Sequence, residues 1–194
     1  MSKTKNIDRV SPYFEACVND AVLVTLEVNE KRSVQYLKIT PLVVKFTDGY
    51  IEINEETGKF VIKKENIKKI SQYGIEKLEI GLIQTPSGGG AVSYLSMMRT
   101  LVRLEIFSKY NESEVWVCDA LSLVPEIFKW LQSHQIIWED SFGLEEIFEE
   151  DHENTLLYIK ENFKQLLAQA RNKEKYQEVY VPYRETKRKT VDED

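Results

Sequence analysis

Val43-Val44-Lys45-Phe46-Thr47-Asp48-Gly49-Tyr50-Ile51-Glu52-Ile53 reads as two β-strands joined by a tight turn. Asp-Gly readily takes the positive φ angles that a two-residue β-turn demands, and here it lies between two runs rich in β-branched and aromatic side chains. Upstream, Ala21 to Asn29 alternates, with Val22, Val24, Leu26 and Val28 on one side and Leu23, Thr25, Glu27 and Asn29 on the other, which predicts a half-buried strand. A turn at Asn29 to Arg32 leads into a β-rich run, Val34 to Phe46, which Pro41 bends or interrupts because proline has no N–H to give a sheet ladder. Downstream, a second hairpin is expected at Asn54 to Gly58, leading into Phe60-Val61-Ile62. Connecting residues Glu65 to Gly74 then precede strands at Leu78 to Gln84, Leu101 to Lys109 and Glu114 to Ala120. About seven strands joined by short loops predict a meandering antiparallel barrel or sandwich, not a βαβ protein.

A helix follows the strands. Ser122 is placed to cap it, Pro125 suits a first turn, and Leu123, Val124, Ile127, Phe128, Trp130 and Leu131 form an apolar stripe reaching His134. Ile136 to Phe142 reads as an aromatic connector with Gly143 as a turn. Leu156, Ile159, Phe163, Leu166 and Ala170 then follow helical spacing and predict one helix of roughly five turns, whose apolar seam packs on the barrel, a second copy or another protein. The expected organisation is an N-terminal arm over 1–20, a β domain with its closing helix over 21–135, an acidic linker and amphipathic helix over 136–178, and a disordered tail over 179–194.

Three stretches carry a resemblance: Thr47-Asp48-Gly49-Tyr50-Ile51-Glu52-Ile53, Phe60-Val61-Ile62-Lys63-Lys64-Glu65-Asn66-Ile67-Lys68-Lys69-Ile70, and Ile127-Phe128-Lys129-Trp130-Leu131. Their order and hydrophobic pattern resemble the pleckstrin-homology-like (PH/GRAM-type) superfamily over about residues 21–134. The resemblance implies a mainly β roll of about seven antiparallel strands capped by a C-terminal helix, here with a helical extension, and a scaffold that binds protein or peptide. Some PH domains hold phosphoinositides through a basic residue in the first hairpin and two more, one position apart, on the second strand. Lys31-Arg32-Ser33-Val34-Gln35-Tyr36-Leu37-Lys38 lacks that second-strand pair, a departure that points away from headgroup binding of the family type.

With 194 residues and 42% hydrophobic content, the chain is long enough to hold a core without disulfides or metal. Cys17 and Cys118 form no CxxC pattern, and Cys118 sits in the apolar run Val115-Trp116-Val117, as a buried thiol in a reducing compartment does. The absence of an 18-residue apolar stretch and of a hydrophobic signal core at the N-terminus predicts a cytoplasmic protein. No catalytic residue, metal site or cofactor is expected: GxSxG, HExxH, DxDxDG and paired Cys/His spacings are missing, and His134 and His152 read as surface residues. Thr85 to Ala91, with Gly88 to Gly90, lacks the lysine and hydroxyl of a phosphate-binding loop. It reads as a flexible connection before a short helix at Val92 to Arg99, where Tyr94, Leu95, Met97 and Met98 pack in the core or form a docking patch.

Two charged segments remain as candidate sites. Glu139 to Glu153 holds eight acids and no Lys or Arg, while the whole chain carries a net charge of −6. Trp138, Phe142 and Phe148 there are candidate aromatic anchors, and Glu145, Glu146, Glu149, Glu150 and Asp151 a candidate acidic rim for a basic partner; the plain alternative is a solvated linker and helix. Lys59, Lys63, Lys64, Lys68 and Lys69 form a candidate surface for an anionic partner or membrane, or simply a guarded strand edge neutralised by nearby acids. The expectation is therefore a non-enzymatic protein-interaction module, an adaptor or an inhibitor or immunity-type protein, whose partner is another protein with a basic surface or a second copy bound through the C-terminal helix. The alternative is peripheral binding to anionic lipid through the lysines. The negative charge argues against nucleic acid.

Overall fold

The computed structural model describes residues 21–33, 42–57, 61–86, 98–110, 112–150 and 154–176. The arm over 1–20 with Cys17, the Pro41 bend, Lys59, the Gly88–Gly90 loop with Tyr94, Leu95 and Met97, Asp151, His152 and the tail over 179–194 lie outside them, as do the side chains of Lys63, Lys64 and Met98. The strands are β1 (Ala21–Leu23), β2 (Thr25–Val28), β3 (Lys31–Arg32), β4 (Leu42–Thr47), β5 (Tyr50–Thr57), β6 (Val61–Ser71), β7 (Ile75–Pro86), β8 (Met98–Ser108), β9 (Ser113–Cys118) and β10 (Ile137–Asp140). The helices are α1 (Val124–Ser133), α2 (Leu144–Glu149), α3 (Thr155–Glu161) and α4 (Phe163–Gln169), with short 3-10 turns at Gln72–Gly74, Leu121–Leu123 and Lys173–Tyr176.

The protein is mainly β, built on two five-stranded sheets of order β1-β9-β8-β7-β10 and β3-β2-β4-β5-β6. Neither sheet closes on itself among the described residues, and both are mixed, which corrects the antiparallel barrel expected from the sequence. β1 lies parallel to β9, β2 to β4 and β10 to β7. The physical reason is connectivity: short loops force antiparallel neighbours, whereas β10 returns to β7 only after the β8–β9 hairpin and α1, a crossover long enough for parallel pairing.

Several local expectations are revised in the same way. The strand over Ala21 to Asn29 is divided at Val24, whose N–H bonds the Val117 carbonyl at 2.9 Å while the following residues join the second sheet. Residues 65–71, expected as a connection, continue β6 as an edge strand with Ile70 opposite Ile51. Met98 and Arg99, expected to close a helix, open β8. The aromatic connector contains β10. α1 starts at Val124 after the 3-10 turn, and Ser122 does not cap it. The five-turn helix is two short ones that meet at Asn162, whose backbone N–H and side-chain amide both donate to the Tyr158 carbonyl at 2.9 Å.

Strand alternation places the core. Leu78, Ile80, Leu82, Val102, Leu104 and Ile106 share one face of the first sheet and are fully or almost fully buried. Trp138 of that face meets Phe128 of α1, and Trp130 of α1 meets Phe46 of the second sheet edge to face at 4.9 Å. The seam Ile159, Phe163 and Leu166 is buried in this same core, with Leu156 and Ala170 packed against it. Cys118 is fully buried, and burial, with the Asp119 charge, pushes its thiol far above the ordinary range, leaving an unreactive group. No helix among the described residues is long and apolar enough to cross a membrane.

Candidate functional site

Four turns and the end of α1 converge on one end of the molecule. β2 and β4 run parallel and finish side by side, with Val28 opposite Phe46, so the Asn29-Glu30 and Asp48-Gly49 turns are neighbours. Asn29 and Glu30 both have positive φ (48° and 66°), as a tight hairpin turn requires, and Gly49 lies at 83°. β5 starts opposite the end of β6, with Tyr50 facing Ser71, and the Gln72 N–H donates to the Gly49 carbonyl at 3.0 Å. The β8–β9 turn joins the row through the Lys109 N–H, which donates to the Gly74 carbonyl at 3.0 Å.

Two of these turns present a tyrosine to solvent. Tyr73 is 76% exposed and Tyr110 82%. Each is held the same way: the Tyr73 N–H donates to Ser71 Oγ at 3.4 Å, and the Tyr110 N–H to Ser108 Oγ at 3.0 Å. Serine two residues before an N–H closes a local turn of its own, so Ser71-Gln72-Tyr73 and Ser108-Lys109-Tyr110 repeat one device at adjacent strand ends. Neither tyrosine stands out by hydrophobic periodicity; the Ser-x-Tyr pattern at the close of a β run is the signal that finds them.

Beside these turns lies a shallow cleft of about 430 Å³ lined by Asn29, Asp48, Lys129, Trp130, Ser133 and His134. Ser133 Oγ is 3.0 Å from His134 Nδ1, and Asp48 Oδ1 is 3.4 Å from Nε2, a grouping that superficially matches a nucleophile, base and acid. The hydrogen bonds assign it otherwise. Nε2 accepts the Gly49 N–H at 3.0 Å, so the proton of the neutral ring is on Nδ1 and goes to the Trp130 carbonyl at 2.8 Å. Ser133 Oγ donates to the same carbonyl at 2.9 Å. With both ring nitrogens committed to backbone, the imidazole is not placed to take a proton from Ser133, and Asp48 is fully exposed instead of buried behind the ring. His134 joins the helix to the hairpin turn, reinforced by Trp130 Nε1 donating to the Thr47 carbonyl at 2.7 Å. No group of three or more metal-ligating side chains occurs among the described residues.

The acidic segment divides between core and surface. Phe142 is buried and stacks on Phe163 at 6.1 Å, Trp138 is half-buried against Phe128, and Phe148 packs on the core, so all three rings have partners inside the chain. Asp140 caps α2: Oδ1 accepts the Phe142 N–H at 3.1 Å and Oδ2 the Glu145 N–H at 2.8 Å, with Gly143 entering the helix at φ 69°. Glu146, Glu149 and Glu150 are exposed and Glu145 half-buried. Of the lysines whose side chains are described, Lys68 pairs with Glu114 on β9, and Lys69 with Glu52 at 3.8 Å while lying 4.6 Å from the Tyr50 ring centre. Both are thereby matched to acids of the same chain.

No family model, curated protein or solved structure matches this chain.

Proposed function

We propose that the protein is a non-enzymatic protein-interaction module, built on a pleckstrin-homology-like roll, that docks its partner through the turn-bearing end. The exposed Tyr73 and Tyr110 on adjacent, hydrogen-bonded turns carry this reading. Tyrosine gives a large amphipathic contact surface, and burying an exposed aromatic side chain contributes about 1.5–3 kcal/mol. The serine bonds hold both turns in place before binding, which lowers the ordering cost of association. The order of elements, β hairpins followed by an amphipathic helix that carries Trp130, supports the roll; the parallel pairings are its departure from the family plan. The net charge of −6 favours a partner with a basic surface, since complementary charge accelerates encounter.

The test uses the immobilised full chain, a Tyr73→Ala/Tyr110→Ala variant and a Glu146→Lys/Glu149→Lys variant, each exposed to the same cell extract. A protein captured by the parent and lost with the tyrosines supports the reading, and salt-sensitive loss with the charge reversals supports the basic partner. Equal capture by parent and tyrosine variant overturns it. Co-sedimentation with phosphatidylserine vesicles, abolished by Lys63→Glu/Lys64→Glu, would replace it with peripheral lipid binding.

A further inference from the structure

The face of the first sheet opposite α1 bears an unusual row. Glu139 on β10, Glu79 on β7 and Glu105 on β8 are direct cross-strand neighbours, so three carboxylates stand side by side. Like charges directly opposite one another destabilise a sheet, and the Glu79 side chain is 4% exposed. Two cations come from the sheet itself: Lys77 bonds Glu79 at 2.6 Å and Glu139 at 3.4 Å, and Arg103 bonds Glu105 at 3.0 Å. The five groups leave one negative charge between Glu79 and Glu105. Lys175, from the end of the described chain, fills that gap, with Nζ 2.6 Å from Glu79 and 3.2 Å from Glu105.

The next residue fills a second, shape-defined gap. Gly81 is one alternation along β7 from Glu79, and a Cβ there would overlap the Tyr176 ring. That ring meets Phe142 edge to face at 5.0 Å and lies 5.7 Å from the Arg103 guanidinium, and its hydroxyl donates to the buried Ser141 Oγ at 2.8 Å. By contrast, Arg171 to Glu174 are exposed, Asn172 is in the left-handed region (φ 51°), and the Arg171 N–H donates to the Ser141 carbonyl at 3.0 Å. An exposed strap thus places two consecutive side chains against two complementary features of the sheet, an uncompensated carboxylate charge that meets the ammonium and a side-chain-free glycine that meets the phenol. Peptide ligands are held this way.

We propose that this groove, made by Glu79, Gly81, Glu105, Ser141 and Phe142, is a peptide-binding site that the chain's own Lys175-Tyr176 occupies in cis. Its exchangeable ligand is a partner segment with a lysine followed by a tyrosine, and the strap sets the threshold that ligand must overcome. The site is separate from the tyrosine-bearing turns and stands or falls independently of them.

The probe is a fluorescent peptide with the sequence of residues 171–178, tested against the full chain and a full-length Lys175→Ala/Tyr176→Ala variant. The expected result is saturable binding to the variant at least tenfold tighter than to the parent, recovery of the variant's melting temperature by the peptide, and no binding of a peptide with both residues replaced by alanine. A variant with native circular dichroism that neither binds the peptide nor gains stability from it overturns the proposal. Hydrogen exchange on the unmodified protein decides the matter even if the variant does not fold. Amides of 171–176 exchanging at least a hundredfold faster than those of β7 and β8 support a detachable strap; exchange together with those strands overturns it.

Discussion

The N–H of Lys109 donates to the carbonyl of Gly74 at 3.0 Å, and this bond links the turns that carry Tyr110 and Tyr73. Neither ring contributes to the core. Tyr73→Ala/Tyr110→Ala is therefore expected to change stability by no more than about 0.5 kcal/mol per site in urea unfolding while abolishing partner capture. A large loss of stability would mean that the rings pack more than their exposure indicates.

A second link, from the Gly49 N–H to His134 Nε2, fixes the imidazole tautomer. Nitrogen-15 NMR at neutral pH is expected to show the Nδ1–H form. His134→Ala removes the acceptor for a part-buried amide and frees the helix end from the turn, at a cost of about 1–2 kcal/mol. An Nε2–H spectrum would require the Gly49 amide to find another acceptor.

A Cβ on Gly81 would overlap the Tyr176 ring, so Gly81→Ala is expected to cost about 1–3 kcal/mol. In a Tyr176→Ala background the same change is expected to cost much less. The double-mutant cycle measures that coupling, and additive effects would place the ring elsewhere.

Burial pushes the Glu79 carboxyl up, but the ammoniums of Lys175 and Lys77 bonded to it prevail and hold it below the ordinary value of 4.5. A depressed carboxyl contributes stability that is present above its unfolded value and is lost as pH falls through the folded one. The midpoint gap between the parent and Glu79→Gln is thus expected to be largest near neutral pH and to close on the acid side of 4.5. A gap independent of pH would remove the ionised carboxylate from the explanation.

Asp140 satisfies amides at the start of α2 that no other described side chain caps. Asp140→Ala is expected to cost about 1–2 kcal/mol and to raise hydrogen exchange over residues 142–147. Unchanged exchange there would show that the cap is dispensable.

The parts legible in the sequence are those whose signal is local. Asp48-Gly49 lies at a tight turn because few residue pairs accept positive φ so readily, and the stripe Val124, Ile127, Phe128, Trp130, Leu131 forms α1 because helical spacing aligns those side chains on one face. The acids of 139–153 were visible as a group, but their sequence does not separate Asp140, which caps a helix, from Glu139, which faces a sheet, or from Glu146, which faces solvent.

The sequence by itself determined the β-rich character, the main hairpin and the amphipathic helix, since periodicity and turn chemistry act between residues a few positions apart. The tertiary structure decided the rest. Val24 divides one strand between two sheets, β10 pairs parallel with β7, and the seam of α3 and α4 joins the chain's own core, because each depends on which distant surface is there to be covered. Lys175-Tyr176, at the end of the segment read as linker and amphipathic helix, carries no signal of its own until Glu79, Glu105 and Gly81 are brought beneath it. Its meaning comes from a charge deficit and from the room left by a glycine, both on strands some seventy to ninety-six residues away.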